Sequence, residues 1–232
     1  RSIALYRNAP GKDGMPIVFS LEVDPATLDA SDFQVTTKNG SKFNVEAVTL
    51  LPAEEEFELR TALLIGEYGN HPDNPPVSVS IVGDLMSRTG SNFKGQSKTV
   101  IPLAEGPVLS YAEYFTFTKD YPHLEKGAGS DCPKGTTKMV VKAVWAGGVR
   151  AVNGDELGTR ELGDFVVTMV TGKDTVEVTP FKLADLGDND NNIDLCLKES
   201  GTPIKLTVKE NTAIDPRDDR NPKTEIKVFS RW

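Results

Sequence analysis

The stretch Asp32-Phe33-Gln34-Val35-Thr36 returns later in the chain as Asp164-Phe165-Val166-Val167-Thr168, and a glycine follows each copy at the same offset, Gly40 or Gly172. Each copy contains the β-branched and aromatic residues that favour strands, and the glycine after it favours a turn. The repetition predicts that the chain contains one all-β unit twice.

The two copies continue in the same order beyond this stretch. Pro76–Ile81 (PVSVSI) returns as Pro203–Val208 (PIKLTV), and an aspartate turn follows each copy, at Asp84 or Asp215. Between the copies, Leu103–Pro107 (LAEGP) is typical of a linker, because a Gly-Pro step ends a strand and redirects the chain. The linker therefore predicts a boundary between two domains.

The remaining strands follow from apolar residues that alternate between turn formers. The predicted strands are 2–7, 16–23, 32–38, 42–50, 57–65, 76–82 and 98–103 in the first unit, and 108–118, 136–145, 164–170, 175–183, 193–198, 203–209 and 224–229 in the second. About seven short strands per unit are expected of an immunoglobulin-like sandwich. We therefore predict an all-β chain of two tandem immunoglobulin-like β-sandwiches, residues 1–105 and 106–232, with an inserted loop near 119–135 in the second.

The segment Val23–Phe33 (VDPATLDASDF) resembles the opening of bacterial Ig-like modules found in S-layer and other surface proteins. Those modules often continue with a glycine turn and a late polar stretch of the form Asp-x-x-x-x-x-Gly, which Asp84–Gly90 matches. The resemblance covers the first unit and extends loosely to the second. It implies an Ig-like fold and a location at the cell surface, but no particular chemistry.

Charge and composition exclude several classes of function. The net charge of −8 argues against nucleic acid and anionic membranes as partners, since both require clustered Lys and Arg. No apolar run approaches the roughly 20 residues that span a bilayer. The sequence lacks a Gly-x-Ser-x-Gly elbow, a phosphate-binding glycine loop and a His-Glu-x-x-His motif, so we do not expect an enzyme. Because the chain begins at Arg1, we interpret it as a processed or trimmed product.

The segment 188–194 (DNDNNID) is the strongest candidate for a cation site. The candidate ligands are Asp188, Asp190, Asn192 and Asp194 at its positions 1, 3, 5 and 7, with Glu199 at position 12. Ca²⁺ takes roughly six to eight oxygen ligands, and such a loop can curl them around one centre. Ile193 replaces the glycine that an EF-hand needs, and a strand follows, so we predict a calcium site in a β-connection. A solvated acidic hairpin is the alternative.

The two histidines, His71 and His123, are candidates for a second metal site. Each lies beside a proline in a strand-free stretch, and imidazole together with a carboxylate suits copper or zinc. The chain is similar to secreted copper-binding surface proteins of methane-oxidising bacteria, which use two distant histidines in a loop-rich β protein. Those proteins carry a modified tryptophan two residues before one histidine, where this chain has Gly69 and Tyr121. Two unrelated loop histidines are the alternative to copper binding.

The cysteines are Cys132 and Cys196. A bridge between them would tie the loop Gly129–Gly135 to the second sandwich and contribute roughly 3–4 kcal/mol through loop closure. Two unpaired thiols are the alternative, and neither cysteine has the spacing of a metal or redox motif. An even number of cysteines in an all-β chain favours an oxidising compartment.

These observations favour a secreted or surface-exposed protein, in the periplasm or outside the cell, that binds or supports rather than catalyses. Its expected partner is a protein or another component of the cell surface, and its expected ion is Ca²⁺. A copper-binding protein centred on His71 and His123 is one alternative. A self-assembling layer or fibre subunit, whose edge strands pair with neighbours, is the other.

Overall fold

The computed structural model describes residues 8–55, 57–117, 130–184 and 190–231. The described residues form strands that pair almost entirely antiparallel, joined by loops and by three short 3-10 helices. The predicted all-β class is therefore confirmed. The predicted strand 2–7 and most of the predicted loop insertion lie outside the described residues.

The chain divides into two compact units, Arg1–Leu103 and Ala104–Trp232. The first contains β1 (Asp13–Val18), β2 (Phe33–Thr37), β3 (Lys42–Asn44), β4 (Ala47–Thr49), β5 (Thr61–Gly66), β6 (Pro76–Ile81) and β7 (Ser97–Thr99), with 3-10 helices at Pro25–Thr27 and Ala30–Asp32. Its strands form two sheets, in the orders β1-β5-β4 and β3-β2-β6-β7. Residues from both sheets meet in one apolar cluster that includes Ile17, Val35, Leu64 and Val79, so the unit is a two-layered sandwich.

The second unit has more strands. They are β8 (Leu109–Thr116), β9 (Met139–Trp145), β10 (Arg150–Ala151), β11 (Phe165–Thr171), β12 (Asp174–Val178), β13 (Lys182–Ala184), β14 (Asn192–Leu197), β15 (Thr202–Val208), β16 (Ala213–Ile214), β17 (Thr224–Lys227) and β18 (Phe229–Ser230), with a 3-10 helix at Leu162–Asp164. The sheets have the orders β12-β11-β15-β17 and β13-β14-β9-β8-β18, and β10 pairs with β16. The two larger sheets enclose a core around the fully buried Trp145.

Two predicted strands are each divided in the structure. The predicted strand 42–50 is β3 and β4, and the predicted strand 175–183 is β12 and β13. In both cases the chain leaves one sheet and enters the other between the two pieces, so a single strand cannot continue. The predicted strand 57–65 also begins late, because Phe57 has a positive φ of 77°, which a strand does not accommodate.

The four-stranded sheets of the two units share their pairing in detail. In the first unit Thr37 lies opposite Pro76, and in the second Met169 lies opposite Pro203. In both, the register shifts immediately before that pair, which marks a bulge at the same place. The turn that leads out of β2 and the one that leads out of β11 both contain a glycine at positive φ.

The other two sheets correspond in their first three strands, since β4-β5-β1 has the same order as β13-β14-β9. Pro16 of β1 lies opposite Leu63, as Lys142 of β9 lies opposite Asp194. In the second unit β8 and then β18 extend the sheet beyond β9, whereas β1 pairs with β5 alone among the described strands. The second unit therefore has a wider sheet with a more central β9.

Tyr68, directly after β5, is a fully buried tyrosine in the first unit. Its backbone N–H donates to Asp13 Oδ2 at 2.9 Å, and its ring packs so closely over Gly66 that an added Cβ would lie 2.6 Å from it. The hydroxyl has no hydrogen-bond partner among the described residues. Burial raises the pKa of Tyr68, and the nearby charges of Asp13 and Glu46 raise it further.

The raised pKa of Tyr68 predicts a loss of stability at alkaline pH. An unfolded tyrosine loses its proton near pH 10, whereas the folded Tyr68 keeps it, so the unfolded state binds fewer protons and the free energy of unfolding falls as pH rises through that region. Tyr68→Phe removes this dependence. Urea denaturation at neutral pH and at about pH 11 should show a smaller alkaline loss for Tyr68→Phe than for the wild type or for Tyr114→Phe. Equal losses in all three proteins would contradict the assignment.

Candidate functional site

The predicted calcium ligands lie around the start of β14, with Asp188 outside the described residues. Asp190, Asn192 and Asp194 are each at most 4 % exposed, whereas Glu199, beyond the end of the strand, is exposed. The alternative of a solvated acidic hairpin is therefore wrong for the three buried residues. Their polar atoms need partners inside the protein, because burying an unpaired charge is costly.

The partners of the two buried carboxylates are protein groups. The backbone N–H of Asn192 donates to Asp190 Oδ1 at 2.7 Å, and the side-chain amide of Asn192 donates to Asp190 Oδ2. Asp194 Oδ1 lies 3.0 Å from Lys142 Nζ. Among the described residues no three Asp, Glu, His or Cys side chains come together as a metal site would require. Calcium binding by the whole predicted set stays a prediction, since Asp188 belongs to it.

The predicted copper ligands are not both described. His71 is exposed in the loop between β5 and β6, where Asn70 and Asn74 pair as an isolated bridge. His123 lies outside the described residues. Copper binding by this pair therefore also stays a prediction.

The predicted disulfide is confirmed, because Cys132 and Cys196 are bonded to each other. Cys196 is in β14 and Cys132 is in the loop before β9, so the bond ties this loop to the sheet. Both sulfurs are buried in an apolar cluster, here called the outer cluster, made of Phe115, Cys132, Val140, Ala184 and Cys196.

The outer cluster shows that β9 and β14, two inner strands of the five-stranded sheet, are buried on both faces. Along β9 the residues Met139, Val141, Ala143 and Trp145 belong to the core between the sheets, while Val140 points to the opposite side. That opposite side is here called the outer face. All seven residues of β9 and all six of β14 are buried, so side chains on the outer face are withdrawn from water as well.

A row of charged side chains crosses this outer face. In the strand register Asp194 lies opposite Lys142, and Lys142 lies opposite Glu113 of β8. The exposed fractions are 3 % for Asp194, 2 % for Lys142 and 0 % for Glu113. The signs alternate along the row, which is the arrangement in which neighbouring charges attract.

The far end of the row is closed by the last strand. Arg231, directly after β18, places its guanidinium on Glu113 Oε1. Its backbone N–H donates to the carbonyl of Tyr114 at 3.0 Å, and the Tyr111 hydroxyl lies 3.5 Å from Glu113 Oε2. Tyr111 also stacks on Phe229, with ring centroids 5.7 Å apart. Glu113 is therefore held by Arg231, which follows the neighbouring strand β18, and by Tyr111 of its own strand.

Asp194 has far less support at the other end of the row. Neither of its carboxylate oxygens accepts a hydrogen bond from the described part of the chain, although Lys142 Nζ is 3.0 Å away. A buried ion pair offsets the loss of hydration only when further hydrogen bonds satisfy its remaining polar atoms. The contact between Lys142 and Asp194 is therefore poorly compensated as a simple ion pair.

The charged row was missed in the sequence, although one signal for it was present. The run Met139–Trp145 (MVVKAVW) is apolar except for Lys142. A single charge within a strand that is otherwise apolar on both faces indicates a buried partner. The partner cannot be identified from spacing, because Asp194 lies 52 residues away in the chain.

No family model, no curated protein and no solved structure matches this chain. Within the described residues no helix has the length and apolar character needed to cross a membrane. The site must therefore be interpreted from its own chemistry.

The charged row predicts a strong effect of removing one charge. Lys142→Met leaves Asp194 buried without its cation and should lower the free energy of unfolding by about 3–5 kcal/mol. Lys142→Met combined with Asp194→Leu should be more stable than Lys142→Met alone, because no buried charge then remains unpaired. Urea denaturation measures both.

The matched control for this prediction is Lys205→Met. Lys205 pairs with Glu225 at 3.6 Å, and both side chains are largely exposed, so the expected change is below about 1 kcal/mol. A similar effect of Lys142→Met and Lys205→Met would contradict the role assigned to the buried row.

Proposed function

We propose that this chain is a secreted or cell-surface protein of two immunoglobulin-like β-sandwiches that acts as a binding or structural module and not as an enzyme. The observation that carries the proposal is the common strand order of the two units. Immunoglobulin-like domains have sheets in the orders A-B-E-D and G-F-C, with C′ beside C in many members.

The two larger sheets of the second unit can be assigned to that scheme. With β8 as A and β9 as B, the first sheet has the order A-B-E-D, extended at strand A by β18. With β11 as C and β12 as C′, the second sheet has the order G-F-C-C′. In the first unit the corresponding orders are B-E-D and G-F-C-C′, and strand A has no counterpart among the described residues.

The disulfide supports a location outside the reducing cytosol. Disulfides persist in secreted, periplasmic and surface proteins and are rare where thiols are kept reduced. The bond between Cys132 and Cys196 is buried in the outer cluster, where it ties a long loop to the sheet. A buried bond of this kind serves stability rather than redox chemistry.

The character of the buried charged row supports a role other than catalysis. Lys142, Asp194 and Glu113 form a row of ionisable groups, yet none is more than 3 % exposed. A general base must come within hydrogen-bond reach of a substrate. Charges that are enclosed and paired within the sheet serve the fold of the module itself.

The alternative of a self-assembling layer or fibre subunit stays a prediction. An edge strand recruits a neighbour through free backbone N–H and C=O groups. Among the described strands β1 lies at the edge of its sheet, and its Pro16 has no N–H to offer to a neighbour.

Thiol trapping tests the proposed location. Native material, denatured in the presence of an alkylating agent, should carry no alkyl group on Cys132 or Cys196, because both thiols are already bonded to each other. Mass spectrometry of the peptides measures this. Alkylation of both cysteines in most molecules would place the protein in a reducing compartment and contradict the proposal.

Forced unfolding tests the two-module organisation. Pulling the chain by its ends should give two unfolding events, one for each unit. The disulfide prevents a span of 64 residues from extending. The gain in chain length at the second event is therefore smaller by about 230 Å, at roughly 3.6 Å per residue.

The control for the pulling experiment is the Cys132→Ser, Cys196→Ser variant, in which the second event should lengthen while the first stays unchanged. A single event, or a change in both events, would contradict two separate modules.

A further inference from the structure

The buried pair of Lys142 and Asp194 carries the two functional groups from which an amide bond forms. Lys142 carries an amine and Asp194 a carboxyl group, and their atoms Nζ and Oδ1 are 3.0 Å apart. They project from directly opposed positions of β9 and β14, so two strands of one sheet hold the reacting groups in place. Groups held in contact in this way react far more readily than the same groups free in water.

The surroundings favour condensation over a lasting ion pair. Both side chains are at most 3 % exposed, and the carboxylate oxygens of Asp194 accept no hydrogen bond from the described residues. Two charges in such a place lose most of their hydration, which is costly. A neutral amide in their place removes both charges and keeps the two strands in contact.

We propose that Lys142 and Asp194 form an intramolecular isopeptide bond. The ammonium first passes a proton to the carboxylate, which gives a neutral amine and a carboxylic acid. The amine nitrogen then attacks Cγ of Asp194, a C–N bond forms, and the C–OH bond breaks. The hydroxyl group leaves with a proton from the nitrogen as one molecule of water, so the step requires no oxidant, reductant or further reactant.

Glu113 is placed to carry protons in this step. It lies opposite Lys142 on the other neighbouring strand, on the same outer face, and it is fully buried. Arg231 and Tyr111 hold its carboxylate in position. Glu113 is therefore a positioning and proton-carrying residue, and the rate of bond formation should depend on it.

The first unit provides an internal comparison for the proposed bond. At the positions that correspond to Lys142 and Asp194 it has Pro16 and Leu63, which cannot form an amide. One cross-link is therefore expected in the chain, in the second unit.

The test is the intact mass of the 232-residue chain after reduction of the disulfide and full denaturation. The protein is first kept folded at neutral pH for several days. We expect a mass lower than that of the sequence by one water molecule, and one branched tryptic peptide that joins the Lys142 and Asp194 segments. The full sequence mass, with the two segments recovered as separate peptides, would overturn the proposal.

Two variants separate the isopeptide bond from other losses of water. Asp13-Gly14 can lose water as a succinimide, so Lys142→Arg must restore the full mass if the cross-link is the cause. Asp194→Asn keeps the shape of the site but must release ammonia and not water, which gives a distinct mass. Loss of water from either variant, at the wild-type extent, would overturn the assignment.

A third variant tests Glu113. Glu113→Gln should fold, as judged by circular dichroism, yet form the bond at least about tenfold more slowly, within the range by which positioned proton carriers accelerate reactions. Glu113→Asp should recover part of the rate. An unchanged rate of bond formation in folded Glu113→Gln would show that Glu113 takes no part in the reaction. The existence of the bond is tested separately, by the mass measurement.

Discussion

The second unit depends on the pairing of opposite charges between neighbouring strands, at a place where the inner strands of the sheet are buried on both faces. Strand β9 has the inter-sheet core on one side and the outer cluster on the other, so none of its side chains reaches water. Lys142 is tolerated there because anionic side chains flank it on both neighbouring strands. The disulfide and the charged row lie on this outer face, and Arg231, which follows the last strand, closes one end of the row.

The arrangement of strands could largely be predicted from the sequence. The repeated stretches at Phe33 and Phe165 have clear β patterns, and each is paired with the strand that the second repeated stretch predicts. Local sequence patterns did not predict the ends of strands that are set by the tertiary structure. The predicted strand 42–50 breaks because the chain changes sheets, and alternation of apolar residues carries no signal for such a crossing.

The candidate site could be predicted only in part. The disulfide followed from the presence of two cysteines, and the segment that contains Asp190 and Asp194 was predicted to be a calcium site. The prediction placed those carboxylates around an ion in a loop, whereas the structure gives Asp194 a lysine from another strand as its counter-charge. Register between strands distant in sequence decides such pairs, and composition and spacing do not contain it.

The parallel pairing of β18 with β8 links the first and last strands of the second unit. During synthesis β8 emerges long before β18. The edge of β8 that pairs with β18, together with Glu113, therefore stays unpaired until Phe229 and Arg231 have been made. Contacts so distant along the chain form slowly. Nascent chains of this protein would therefore be prone to aggregate through that strand edge, and a chaperone that covers the edge would raise the yield of folded protein.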